Sequence, residues 1–212
     1  MKDNGSHAGK LKLLGGELCL DFSNTVGWHD SDNPQEWLNA YSDLMLWSKH
    51  VGILTDREAQ MLMDKASKRI SEAKRVLEKA IKLREAIYRI LSSLIGKSEP
   101  EDRDLSILNS LLSDAMGKSR LIRTKEGFSW GFHTGKDSLD WVLFPIVRST
   151  VELLASDKLE RVKKCSGRHC GWLFLDMSRN RSRRWCDMKD CGNRAKAQRH
   201  YHRKRKSNQA VK

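Results

Sequence analysis

The stretch CSGRHCGWLFLDMSRNRSRRWCDMKDC, Cys165 to Cys191, decides how the last quarter of this chain folds. Cys165 and Cys170 have four residues between them, fifteen residues follow, and Cys186 and Cys191 again have four between them. Two loops that each supply two thiolates build the closed, four-sulfur coordination of structural zinc, and four-residue spacers lie within its range. Two disulfides would need an oxidising compartment. An iron–sulfur cluster usually shows other spacings. Zinc is the simplest reading of the three. Four protein ligands leave no open position for water, so such a metal is structural rather than catalytic. His169 would replace a ligand only if one cysteine were displaced. Cys19 stands alone in LCLDF and reads as a small buried hydrophobe.

Between the pairs, Trp172, Phe174 and Trp185 alternate with smaller residues around a polar turn, with Leu173 and Leu175 on the opposite face. That pattern predicts a short β-hairpin lying between the two cysteine pairs. The order knuckle, hairpin, then two cysteines at the start of a helix is the layout of a treble clef. About fifty residues bury little apolar area. Metal, worth roughly 10–16 kcal/mol in small fingers, should therefore supply much of the stability, and the module should unfold without it. Cys191 would anchor the first turn of the helix, and Gly192 would give its backbone room near the metal loop.

Behind Cys191, Lys196, Arg199, Arg203 and Lys206 recur at helical spacing as one basic stripe. Ala195, Ala197 and Tyr201 lie elsewhere and are expected to pack on the hairpin. Arg179, Arg181, Arg183 and Arg184 form a second basic cluster. A basic stripe on a metal-anchored helix suits a nucleic-acid groove. Asn180 and Asn193 have the chemistry for bidentate contacts to adenine, and arginine for guanine. Sequence leaves open whether they read bases or phosphates.

The charge follows the same division. From Arg161 to Lys212 there are 17 Lys and Arg against 3 Asp and Glu, whereas the other 160 residues hold 23 against 24. Four thiolates and one zinc ion lower the net charge of the basic end from +14 to +12. Such asymmetry points to an anionic partner, with a solubilising tail as the plainer alternative. No apolar run is long enough to span a bilayer. The N-terminus MKDNGSHAGK lacks the apolar core of a signal peptide. These features predict a cytoplasmic protein without a membrane partner.

The rest of the chain reads as mainly helical. KLKLLGGELCLDFSNTV suggests two short strands around Gly15 and Gly16, or one strand entering a turn. DNPQEWLNAYSDLMLWSKHVGIL suggests a helix with Asn33 as N-cap and Pro34 in its first position. Thr55 and Glu58 form a capping box for the next helix. Residues 71–95 form a long amphipathic helix with Val76, Ala80, Leu83, Ile87, Ile90, Leu91 and Leu94 as its buried stripe and Gly96 as its stop. Another helix follows Pro100, then a hairpin around Lys125-Glu126-Gly127. A last helix either kinks at Pro145 or is regular only after it. The fold class is therefore α+β: a mainly helical body with short strands over residues 1–156, then a small treble-clef-like zinc finger of hairpin and helix over residues 157–212.

The segment from Cys165 to Arg205 resembles the CGNR zinc finger, whose signature stands here as Cys191, Gly192, Asn193 and Arg194. The resemblance includes all four cysteines, Phe174-x-Asp176, Arg184-Trp185-Cys186 and Lys196, and implies that Cys165, Cys170, Cys186 and Cys191 hold one Zn2+. GGELCLDFSNTV (residues 15–26) and LREAIYRIL (residues 83–91) resemble the ABATE domain of bacterial stress-responsive transcription regulators. Together they imply a regulator that binds double-stranded DNA and whose body senses a small ligand. The DNA-binding set would be Arg179, Arg181, Arg183, Arg184, Asn193, Arg194, Lys196, Arg199 and Arg203. A single basic helix usually needs a second half-site, which suggests a homodimer.

In the body, Asp21, Asn24, Thr25 and Arg84 are candidate ligand-binding residues. The alternative is that Asn24 and Thr25 cap local backbone, the more ordinary use of such side chains. An Asp21–Arg84 ion pair fits either view. Trp28, Trp37, Trp47, Trp130 and Trp141 read as core, and His29, His50 and His133 receive no role. The rival functions are an RNA- or protein-binding adaptor, with Trp172, Phe174 and Trp185 as stacking surfaces, and a nuclease using His200 and His202. No cluster of Asp or Glu accompanies those histidines.

Overall fold

The computed structural model describes residues 8–132 and 138–209, so His133 lies outside the described residues. Leu18–Ser23 forms a helix, α1, where the sequence predicts strands. Cys19, Leu20, Phe22 and Ser23 are all buried, so the segment is enclosed on every side. Periodicity does not separate a short buried helix from a short buried strand. The backbone N–H of Gly15 donates to Asp21 Oδ1 at 2.8 Å and folds the glycine turn back onto α1.

Strand β1 (Val26–Gly27) pairs antiparallel with β2 (Gln35–Glu36) around a loop that begins at Trp28. The helix expected at Asn33 starts only at Tyr41, as α2 (Tyr41–His50). Two interactions explain the shift, one from far along the chain and one local. Arg84 grips both Glu36 oxygens at 2.7 Å, which holds the chain after Pro34 extended. The Asp43 carboxylate then accepts the amides of Asn39 and Ala40, both at 2.9 Å, and sets the start of α2.

Helix α3 (Asp56–Lys68) is capped by Thr55 and Glu58 as expected. Helix α4 (Ile70–Ile95) carries the stripe read from sequence: Val76, Ala80, Leu83, Ile87, Ile90 and Leu91 are buried, Leu94 partly so, and Gly96 ends it. Helix α5 (Asp102–Lys118) packs on α4, where Arg89 donates to both oxygens of buried Asp104 at 2.8 and 2.7 Å. The hairpin of β3 (Ser119–Thr124) and β4 (Gly127–Phe132) follows and leaves Leu121, Phe128 and Trp130 exposed. Helix α6 (Phe144–Leu154) has Pro145 in its first turn, where a missing N–H breaks no intrahelical bond, so no kink results.

The core is closed by elements far apart in sequence. Helix α1 packs on α4, on α6 and on β6 (Leu173–Leu175), which lies beyond the first cysteine pair. Among the tryptophans, Trp47 is fully buried beside Phe22, and Trp37 and Trp141 are partly buried against the core. Trp28 and Trp130 are 38% and 51% exposed, which corrects the expectation that all five are core. No helix among the described residues is long and apolar enough to cross a membrane.

Candidate metal centre and nucleic-acid interface

The first cysteine pair sits on the turn of a hairpin. Strand β5 (Val162–Lys164) leads into Cys165, the chain turns through Cys170, and β6 returns antiparallel with Lys164 opposite Leu173. The hairpin thus encloses the first pair, rather than lying between the pairs as the alternation of Trp172, Phe174 and Trp185 suggests. The second pair enters on a single π turn, Met188–Gly192, which runs into α7 (Asn193–Gln209). Asp187 caps that turn by accepting from Lys189 N at 2.8 Å. Cys191 therefore stands at the entry to the helix, as expected. The space left by Gly192 faces the Met188 side chain; Gly167 is the glycine against the sulfurs, where a Cβ would lie 3.0 Å from Cys191 Sγ.

All four cysteine sulfurs are buried and lie within 4.8 Å of one another. The Cys170–Cys186 and Cys186–Cys191 separations are both 3.7 Å. A tetrahedral zinc with bonds of about 2.3 Å to sulfur has sulfur–sulfur edges of about 3.8 Å, so the residues fit the ion. Donors already face the sulfurs. Cys165 Sγ accepts from Gly167 N at 3.4 Å and from Cys186 N at 3.3 Å, and Cys191 Sγ accepts from Arg194 Nη2 at 3.1 Å. Such bonds orient the ligands and offset their excess negative charge. Phe174, fully buried, and the half-buried Trp172 and Trp185 pack around the cluster as a small second core.

The segment between β6 and Cys186 is a loop organised by Asp176. That carboxylate, fully buried, accepts from Lys163 Nζ at 2.7 Å, Ser178 Oγ at 2.6 Å, Ser178 N at 2.9 Å and Arg183 N at 3.0 Å. Burial pushes its proton affinity up, but the Lys163 ammonium and the Ser178 donors outweigh it and hold the group well below the usual carboxylate range. Arg183 turns inward. Its guanidinium lies 4.2 Å from the Phe174 ring centre and donates to Trp185 O at 3.1 Å and Cys186 O at 2.6 Å. It is a strut of the return loop, turned inward where the sequence suggests a side chain facing DNA. Only the Phe174-x-Asp176 spacing in the sequence pointed to this network.

The finger is built onto the body. Val162, Leu173 and Leu175 belong to the body's core cluster. Asn24 bonds both backbone groups of Leu173, its Nδ2 donating to Leu173 O and its Oδ1 accepting from Leu173 N, each at 2.8 Å. Leu175 N donates to Gly15 O at 2.7 Å, and Trp172 Nε1 to Val26 O at 2.9 Å. Gly171, at φ +72°, passes so close to the body that a Cβ would meet His29 Cβ at 2.8 Å.

The body's candidate ligand-binding residues are absorbed in these contacts. Asn24 grips β6, and Thr25 Oγ1 donates to Phe22 O at 2.7 Å. Arg84 pairs with Glu36 and Glu85, and Asp21 holds Gly15, so the two form no pair with each other. Burial raises the Asp21 pKa to about 6. Around the same joint, His29 Nε2 lies 3.0 Å from Glu85, and Asp30 takes Tyr88 Oη at 2.8 Å and Lys164 Nζ at 2.7 Å.

Lys196, Arg199 and Arg203 line one exposed groove with His202, so these three residues of the stripe share a face of α7, while the side chain of Lys206 lies outside the described residues. Of the three residues expected on the hairpin, Ala195 is partly buried at the root of α7, whereas Ala197 and Tyr201 are exposed, so the helix beyond its first turn does not lie on the hairpin. Asn193 donates Nδ2 to Lys189 O at 3.0 Å. Arg179, Arg181 and Arg184 are exposed. At the base of α7 a second groove of about 540 Å3 opens, with Trp28, Arg168, Arg184, Trp185, Arg194 and Arg199 among its walls. Arg194 is held there by Asp190 at 3.3 Å and lies 4.4 Å above the Trp28 ring. The sequence suggests a core role for Trp28 and none for Arg168, since neither lies near the basic stripe in the chain.

Comparison with known proteins agrees with this anatomy. The family model described as "Putative stress-induced transcription regulator", ABATE, matches residues 16–157. The CGNR zinc finger model matches residues 161–204. No curated protein matches the chain.

Proposed function

Because the chain belongs to the ABATE family and ends in a CGNR zinc finger, we propose that it is a transcription regulator that grips double-stranded DNA through the finger. The observation that carries this reading is the projecting helix α7, which displays Lys196, Arg199 and Arg203 on one exposed face directly behind Cys191. A helix with so little apolar surface gains nothing by packing on its own protein; an anionic groove gives its charges a partner. The zinc supplies rigidity, fixing the root of α7 against the body. Arg184, which shares a groove with Arg199, and the exposed Arg179 and Arg181 are assigned as further phosphate contacts, and Asn193 and Arg194 stand at the helix root. One helix covers one half-site, so two copies on DNA are part of the proposal.

The reading is of a binding protein, not an enzyme. Among the described residues, the four cysteines are the one group of three or more metal-binding side chains in reach of each other, and His200 and His202 have no such company. Magnesium-dependent cutting of plasmid DNA would overturn this part. No effector site is proposed at Asp21, Asn24, Thr25 or Arg84, whose polar atoms are engaged within the protein.

The test is a salt titration of duplex binding by the full zinc-loaded chain, repeated with Arg199→Glu plus Arg203→Glu. The double variant should lose binding at near-physiological salt and keep its full complement of zinc. Wild-type affinity in that variant would overturn the proposal.

A further inference from the structure

We infer that the groove at the root of α7 is a binding site for an unpaired nucleotide, with Trp28 of the body as the stacking surface for its base. This rests on the reading of the chain as a nucleic-acid-binding protein and adds to it a second kind of contact. The stripe on α7 meets phosphates. The groove has the chemistry for a base drawn out of the helix, or for one in a single strand.

Three observations point there. The first is backbone geometry. Trp28 sits at φ +53° and His169, which also lines the groove, at φ +61°, both in the left-handed region. For a side chain as bulky as indole that is an outlier, kept only where surroundings over-determine it, and such outliers gather at functional sites. The surroundings are visible: His29 N donates to Cys170 O at 3.2 Å, His29 pairs with Glu85, and Asp30 with Lys164. The next two residues thus pin the loop, and Trp28 is left 38% exposed rather than buried.

The second is the composition of the walls. Arg168, Arg184, Arg194 and Arg199 line the groove together with Trp28 and Trp185, and no carboxylate lines it. Planar rings interleaved with guanidinium groups are what stack and neutralise nucleotides in single strands. The third is preorganisation. Arg194 is held by Asp190 and by Cys191 Sγ with its guanidinium over Trp28, and Arg184 lies 5.4 Å from the Trp185 ring centre. The cationic and aromatic surfaces are stacked before any ligand arrives. Because Trp28 belongs to the body and Arg194 to the finger, the site exists only while the two are joined.

The experiment uses the full, zinc-loaded chain and three probes: a paired duplex, the same duplex with one unpaired thymine, and oligothymidylate. Wild type should bind the bulged duplex more tightly than the paired one. Trp28→Ala should lose about 5- to 150-fold on the bulged duplex and on oligothymidylate, the range for removing one stacked base, and stay within about twofold on the paired duplex. Trp28→Phe should keep most of the preference. Trp28→Gly removes the ring and frees the left-handed backbone, so it separates stacking from folding. Equal losses on all three probes, or no wild-type preference for the bulge, would overturn the inference and leave duplex binding standing. Binding to oligothymidylate but not to duplex would support the site and overturn the duplex reading. Failure to bind all three overturns both.

Discussion

Asp21 shows how one side chain carries two demands. Its carboxylate is needed to hold the Gly15 amide, yet burial raises its pKa from the ordinary 3.8 to about 6. The folded chain therefore holds a proton on Asp21 that the unfolded chain has already released between about pH 4 and 6. Folding is favoured by Asp21 at the acid end of that window, and the advantage is lost as pH rises through it. Above pH 6 the folded state carries a poorly solvated charge, at a cost of at most about 3 kcal/mol for a shift of this size. Asp21→Asn keeps an acceptor for Gly15 and removes the charge. Thermal melting should show the variant more stable than wild type at pH 7.5 and indistinguishable from it at pH 4. A difference that does not change with pH would mean that the carboxylate is not strained by burial. The apolar neighbours of Asp21 are plain in the sequence; that they close around it as a helix is a tertiary fact, set by α4, α6 and β6.

At the scale of elements, legibility followed periodicity. The stripe of α4, the box at Thr55 and Glu58, and the hairpin at Lys125-Glu126 were open to reading because each is fixed by residues within a few positions. The start of α2 was not, because Arg84, far along the chain, holds Glu36 extended. The cysteine spacing gave the metal ligands, but alternation misplaced the hairpin, because β6 pairs backward with β5 and not forward with Trp185. What stands in place of that forward strand is the loop around Asp176. Its carboxylate takes four donors, including Lys163, and Asn can neither balance that charge nor accept them all. Asp176→Asn should cost about 3–5 kcal/mol, the usual loss when one partner of a buried pair is removed. Because Arg183 and Cys186 hang from this loop, the variant should also release zinc to a competing chelator faster than wild type. Unchanged release with normal stability would show that the loop does not support the metal site.

At the scale of the molecule, the division into helical body and basic finger is real in charge and in sequence but not in packing. Val162, Leu173 and Leu175 fill the body's core, and Asn24 satisfies both backbone groups of Leu173 from the other side. A metal that holds β5, β6 and α7 together then stabilises the whole chain by mass action, since the folded state binds it and the unfolded state binds it far less well. Urea unfolding of the zinc-loaded chain, followed by tryptophan fluorescence and by zinc release, should give superimposed curves. Chelation should lower the midpoint of the body as well as the finger. Asn24→Ala strands a donor and an acceptor in the interior, at about 1–3 kcal/mol each. It should shift both curves together, although Asn24 is not one of the metal ligands. Zinc leaving in a separate, earlier transition would mean that the finger folds on its own account. Coincidence would mean that any change in the body reaches α7 without a hinge, through strands that belong to both parts.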